Sequence, residues 1–116
     1  DSTKKTIQDQ IQKQWGDVKF DVIIDDGLHT PQANADTFLN LVEFLHDDGV
    51  YYIEDVWPLD IMKDEWNHSW MKKNPTKYNM EKWNYFESAI KDYNIKRHDL
   101  RVDSNMPDSY IFEIRK

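Results

Sequence analysis

The chain has 116 residues, with 15 Lys and Arg against 22 Asp and Glu, a formal net charge of −7 and no cysteine. That length allows one domain. The charge argues against a nucleic-acid tract or an anionic membrane surface as partner. The lack of Cys excludes a disulfide frame, a zinc–thiolate site and a thiol nucleophile, and fits a reducing, cytoplasmic setting. No apolar run approaches the roughly 20 residues that span a bilayer, and the start shows no signal-peptide pattern. It opens on DSTKKT without Met, as expected of a processed chain or a piece of something larger. Five Trp, six Tyr and five Phe supply area for a packed core.

Ser2, Thr3 and Thr6 are candidate helix caps, and Thr6 with Asp9 resembles a capping box. Ile7, Ile11 and Trp15 then recur at helical spacing, and Gly16 is a plausible stop. Residues 20–24 read as a strand. Phe20, Val22 and Ile24 share one face with Asp26, while Asp21, Ile23 and Asp25 share the other. The run Val22-Ile23-Ile24 predicts burial on both faces, as in a parallel sheet. Thr30-Pro31 is a cap followed by proline at the first helical position. Ala35, Phe38, Leu39, Val42 and Leu45 make the buried stripe of that helix, and Gly49 ends it. Residues 50–54 are the next strand, parallel to the first because a helix joins them.

Residues 57–78 are richer in Trp, Met and His than a plain loop. A helix over 59–70, with Ile61, Met62 and Trp66 inward, is followed by a polar loop at 72–76. The stretch reads either as a surface helix and loop or as a lid. Met80, Trp83, Phe86, Ile90 and Tyr93 mark a further helix. Residues 95–102 and 109–115 alternate as strands, and the turn composition of 103–108 leaves room for no helix. They form an antiparallel hairpin. The whole predicts an α/β domain of three layers.

Ligands of open α/β sheets sit at the carboxyl ends of the strands. Asp26, Glu54 and Asp55 lie there, on two parallel strands. Three carboxylates so close repel unless a cation joins them. Oxygen-only donors favour a hard ion, Mg²⁺ first, then Ca²⁺ or Mn²⁺. Asp25 points the other way by alternation. His29, three residues past Asp26, is placed to lean over the same site as a general base. Each of these side chains alone reads as an ordinary solvated loop group; their convergence on one edge is what makes them a site.

The segments DVIIDDGLH and YYIEDV resemble the class I S-adenosylmethionine-dependent O-methyltransferases that use Mg²⁺. The nearest group is the macrolide-sugar O-methyltransferases of mycinamicin and macrocin type, with their cephalosporin-biosynthesis relatives. Their usual DDGSH has Leu28 in place of Ser here. The catechol O-methyltransferases are similar in layout, with a Lys in the place of His29. The resemblance implies Mg²⁺ on Asp26, Glu54 and Asp55, His29 as base, S-adenosylmethionine as methyl donor and a small hydroxylated acceptor such as a sugar. It implies a Rossmann-like sheet ordered 19–25, 50–54, 109–115, 95–102. It is close over residues 1–55 and rests on element order beyond.

The departure is at the donor site. Gly16, Gly27 and Gly49 are the only glycines, with no GxG loop among them. The chain therefore resembles the C-terminal half of such an enzyme, a partial Rossmann-like fold in a single α/β domain. Ser2 and Thr3 fall where the family loop contacts adenine. The strand 19–25 would then have a bare apolar edge, a surface for pairing into a homo-oligomer. Two rival readings are a non-catalytic half-domain that pairs through that edge, and a phospho-accepting receiver domain. The latter also uses an acidic cluster and Mg²⁺, but it needs a Lys at the end of a later parallel strand.

Overall fold

The computed structural model describes residues 1–62 and 69–116. In chain order the elements are α1 (Thr6–Trp15), β1 (Phe20–Asp25), α2 (Pro31–Leu41), a 3-10 turn (Val42–Phe44), β2 (Leu45–Ile53), α3 (Ser69–Lys73), α4 (Met80–Ile90), β3 (Asn94–Asp99), α5 (Arg101–Ser104) and β4 (Tyr110–Arg115). The sheet order is β1-β2-β4-β3. β1 and β2 are parallel, joined by the α2 crossover. The β2–β4 and β3–β4 pairs are antiparallel. This is the predicted order and the predicted hairpin. β3, antiparallel to β4, runs in the direction of β1 and β2, but it ends at Asp99 and not at the Lys that a receiver-type site needs.

Local chemistry explains the helix starts. Thr30 Oγ1 accepts a hydrogen bond from the Ala33 amide, with Pro31 at the first helical position of α2. Asn79 Oδ1 does the same for the Lys82 amide at the head of α4. α1 has no side-chain cap, so the Thr6–Asp9 box does not form. Gly16 closes α1 at φ 69°, a left-handed conformation that glycine adopts without steric cost.

The core lies on one face of the sheet. Ile23 and Asp25 of β1 are in register with Tyr51 and Ile53 of β2, and those two pair with Ile114 and Phe112 of β4. Phe38 of α2 meets Tyr51 edge-on at 5.1 Å, and Phe86 of α4 meets Phe112 at 5.2 Å. Trp83, Phe86 and Ile90 make up the buried side of α4. Each such side chain contributes on the order of 1.5–3 kcal/mol by leaving water.

The opposite face is different. Val22 pairs with Val50 and Ile24 with Tyr52, so these side chains point away from the core. Val22 is 52% and Ile24 60% exposed. Burial of β1 on both faces is therefore not found. No described helix covers this part of the sheet, which has two layers here and not three.

Further expectations are corrected. α2 ends at Leu41 and β2 already begins at Leu45; Gly49 lies inside that strand and does not stop the helix. Leu39 is largely exposed, while Leu45 is buried as a strand residue. In α1 only Ile11 is buried, and Trp15 is exposed, touching Phe20 edge-on. A single helical turn, α5, sits between β3 and β4. There the Arg101 side chain donates to Asp99 at 2.8 and 2.9 Å. Of the helix expected over 59–70, residues 63–68 lie outside the described residues. Residues 59–61 form a turn, and the described helix α3 takes in Lys72 and Lys73, where a loop was expected.

Candidate functional site

Two strand ends carry the acidic pairs. The Glu54 amide donates to the Asp25 carbonyl at 3.0 Å, which holds the end of β2 beside the end of β1. Asp25, on the core side, is buried. Its Oδ1 accepts from the Gly27 amide at 3.2 Å and its Oδ2 from Asn34 Nδ2 at 3.4 Å. Burial raises its pKa, against the lowering effect of those two hydrogen bonds. It is thus committed to the turn and the core, as alternation predicted.

Asp26 leaves β1 on the other side. Asp55 has φ 51°, a left-handed backbone that non-glycine residues seldom adopt and that Asp tolerates better than most. His29 Nε2 is 3.3 Å from Asp26 Oδ1 and 3.7 Å from Asp55 Oδ2. One donor atom from each of Asp26, His29 and Asp55 lies within 4.8 Å of the others. Glu54, the fourth predicted residue, is not in this group. The pKa of Asp55 is raised, first by partial burial and then by the negative charges of Asp108 and Asp26, with His29 opposing. A carboxylate so disfavoured gains from any cation placed beside it.

An open cleft of about 330 Å³ adjoins the cluster, lined by Gly27, Leu28, His29, Thr30, Trp57, Lys77, Tyr78 and Asp108. Trp57 and Tyr78 meet edge-to-face at 5.9 Å within it. A second cleft of about 270 Å³ shares Leu28, Thr30 and Lys77, and adds Thr3 and Lys82 among others. Thr3 therefore faces a cavity next to the acidic cluster, although its hydroxyl is already bonded to Asp1 at 2.7 Å. Ser2 does not line either cleft. Its hydroxyl is 3.2 Å from that of Thr37, and its carbonyl accepts from Asn40.

Trp57, Tyr78, Lys77 and Asp108 were not singled out from the sequence. Trp57, Lys77 and Tyr78 lie in the stretch 57–78 for which a lid was one reading, whereas Asp108 carried no signal. Asp108 sits in the segment before β4 and reaches the site because the Val56 amide donates to the Tyr110 carbonyl, a long-range contact with no trace in local spacing.

No known protein family and no curated protein matches the chain in sequence. Among solved structures it is similar to a methyltransferase of the mycinamycin biosynthetic pathway, MycE, in complex with Mg and SAH. The match has a TM-score of 0.52 and 22% identity over all of this chain, which spans 30% of the length of that protein. The chain has an α/β fold with a four-stranded mixed sheet, like part of a methyltransferase fold.

Proposed function

We propose that this chain provides the metal-binding and proton-accepting side of an S-adenosylmethionine-dependent O-methyl transfer to a small hydroxylated molecule. The observation that carries the reading is the convergence of Asp26, His29 and Asp55 within 4.8 Å at the carboxyl ends of two parallel strands. The likeness to a methyltransferase holding Mg and SAH supports it at the level of the fold.

The donor set fits a hard divalent ion. Two carboxylates close together favour Mg²⁺ over softer metals, and Glu54, adjacent in the chain, is the third carboxylate we assign to it. An ion bound there raises the acidity of a substrate hydroxyl. His29 accepts that proton on a ring nitrogen as the methyl group arrives. The cleft against His29 suits one ring-sized acceptor, a sugar for example, laid on the Trp57 and Tyr78 rings. Holding the acceptor oxygen in line is the main contribution these residues make.

The methyl donor fits less completely. The three glycines form no glycine-rich cradle, so Thr3, which lines the adjoining cleft, is the contact to the donor proposed on this chain; Ser2, turned to Thr37 and Asn40, is not. Calorimetric titration with S-adenosylmethionine, with and without Mg²⁺, tests the reading. Binding that strengthens with Mg²⁺ is expected, with the strengthening lost in Asp26→Asn. No binding under either condition removes methyl transfer from this chain and leaves the second reading, a non-catalytic half-domain. The exposure of Val22 and Ile24 on β1 favours that alternative.

A further inference from the structure

We propose that Asn34 is a positioning residue for the cluster of Asp26, His29 and Asp55, acting through the buried carboxylate of Asp25; its effect on a bound ion rests on the metal-binding role proposed above, its geometry does not. Asn34 is 2% and Asp25 6% exposed, and polar groups so buried are held by their hydrogen bonds. Asn34 lies early in α2, with its amide donating to the Thr30 carbonyl at 3.0 Å. The Thr30 cap and Pro31 fix that end of the helix. Asn34 Nδ2 donates to Asp25 Oδ2 at 3.4 Å, while Asp25 Oδ1 accepts from the Gly27 amide at 3.2 Å.

The turn from Asp26 to His29 has little apolar anchorage of its own. Leu28 is 68% exposed, Gly27 has no side chain, and the Asp26 side chain is 62% exposed. The Asp25 carboxylate joins this turn to a helix packed in the core. A Cβ placed on Gly27 would stand 3.0 Å from Asp25 Oδ1, so the turn backbone lies directly against the carboxylate. The Asp25 main-chain carbonyl accepts from the Glu54 amide at 3.0 Å, one residue before Asp55. Asp25 therefore serves both sides of the cluster: its side chain holds the turn that carries Asp26 and His29, and its backbone holds the strand end that carries Asp55. Asn34 keeps that side chain where it reaches Gly27. Without the Asn34 amide, a buried carboxylate loses one of its partners and gains by turning toward water, away from Gly27. Partners that orient metal ligands from behind typically change metal affinity by about 10–100-fold.

The chemistry of the pair supplies the test. Asn34→Leu keeps the volume and removes the donor. Asn34→Asp sets a second carboxylate against Asp25. Asp25→Asn combined with Asn34→Asp reverses the pair, since the new amide donates to the new carboxylate and its oxygen still accepts from Gly27. Two quantities are read in the chain. Without metal, a nuclear Overhauser contact between the His29 ring and the Asp55 methylene is expected, because Nε2 and Oδ2 are 3.7 Å apart. With Mg²⁺, the affinity is measured by calorimetry at constant ionic strength. Asn34→Leu and Asn34→Asp should lose the contact and weaken Mg²⁺ binding about tenfold or more, and the reversed pair should restore both. If Asn34→Leu does not fold, Asn34→Ala is read in its place. A role in stability alone would lower the urea midpoint and leave the contact as in wild type. Retention of the contact in Asn34→Leu therefore overturns the proposal, whatever the affinity, as does a wild-type chain without the contact or a reversed pair as impaired as Asn34→Asp. A wild-type chain that shows the contact, loses it in Asn34→Leu and binds no Mg²⁺ removes the metal-binding role and leaves the positioning in place.

Discussion

Tyr51 is fully buried in the centre of the sheet, and among the described residues its hydroxyl has no hydrogen-bond partner. Burial, and then the negative charge of Asp25, push its pKa far above the usual phenol value, so the group stays neutral. An unpaired buried hydroxyl carries its full desolvation penalty, about 1–3 kcal/mol. Tyr51→Phe keeps the ring against Phe38 and removes that penalty. It should raise stability by about 1 kcal/mol, read as a higher urea midpoint at unchanged slope. Asp99 makes a pH-dependent contribution of ordinary sign. Hydrogen bonding to Arg101 holds its pKa below the usual carboxylate value. The folded state therefore releases that proton more readily than the unfolded chain, and the stabilisation is present above about pH 3.8. It is lost as pH falls through the lowered folded value. The carboxylate is 42% exposed, so after solvent screening the pair is worth less than about 1 kcal/mol. Asp99→Asn should cost that small amount at pH 7 and less at pH 2. An equal loss at both values would show that packing, and not charge, is involved. At this scale the inward direction of Asp25 was legible from strand alternation alone. The meeting of Asp55 with Asp26 and His29 was legible from the two strand ends; the place of Glu54 outside that group was not, and it goes with a turn in which Asp55 has a positive φ.

β2 shows why element types are more legible than their limits. Glycine after an apolar helical stripe is a sound stop signal, yet Gly49 lies within the strand. It is needed there because a Cβ would meet Leu45 Cδ1 at 2.8 Å, the Asp21 carbonyl at 2.9 Å and the His46 carbonyl at 3.0 Å. Two of those neighbours are backbone and cannot swing aside. The partnering of β1 jumps at the same place, from Phe20–Leu45 to Val22–Val50, so the extra residues of β2 bulge past β1 where only glycine fits. Gly49→Ala should therefore cost about 1–3 kcal/mol, the range of overpacking in a close-packed region. It should also raise amide exchange of Asp21 to Ile23, the segment that must move. A change within about 0.5 kcal/mol would mean the two strands separate without penalty. The antiparallel pairing of β3 with β4 was legible from the element sequence, since no helix long enough for a crossover separates the last two strands, whereas the strand order came only from the family resemblance. α5 was not legible, because its single turn follows the Asp99–Arg101 pair and shows no periodicity of its own.

Across the whole molecule, charge and site point the same way and must be separated. A chain at −7 repels itself, and any salt relieves part of that repulsion. A melting temperature that rises with MgCl₂ is thus no evidence for a site by itself. Asp26, Asp55 and Asp108 act on one another locally, as the raised pKa of Asp55 records, whereas general screening acts on the other acidic residues as well. At equal ionic strength, MgCl₂ should raise the melting temperature more than NaCl, because only an ion bound to the folded chain adds stability by mass action, about 2.7 kcal/mol at a hundredfold excess over Kd. Asp55→Asn removes one donor of the cluster and one repulsive charge together. It should leave the NaCl response nearly unchanged while cancelling the extra effect of MgCl₂, and raise stability slightly when no divalent ion is present. Equal responses to the two salts in the wild-type chain would mean that the carboxylates at the two strand ends meet as neighbours and not as ligands, and that the acidic edge answers to the overall field of the protein alone.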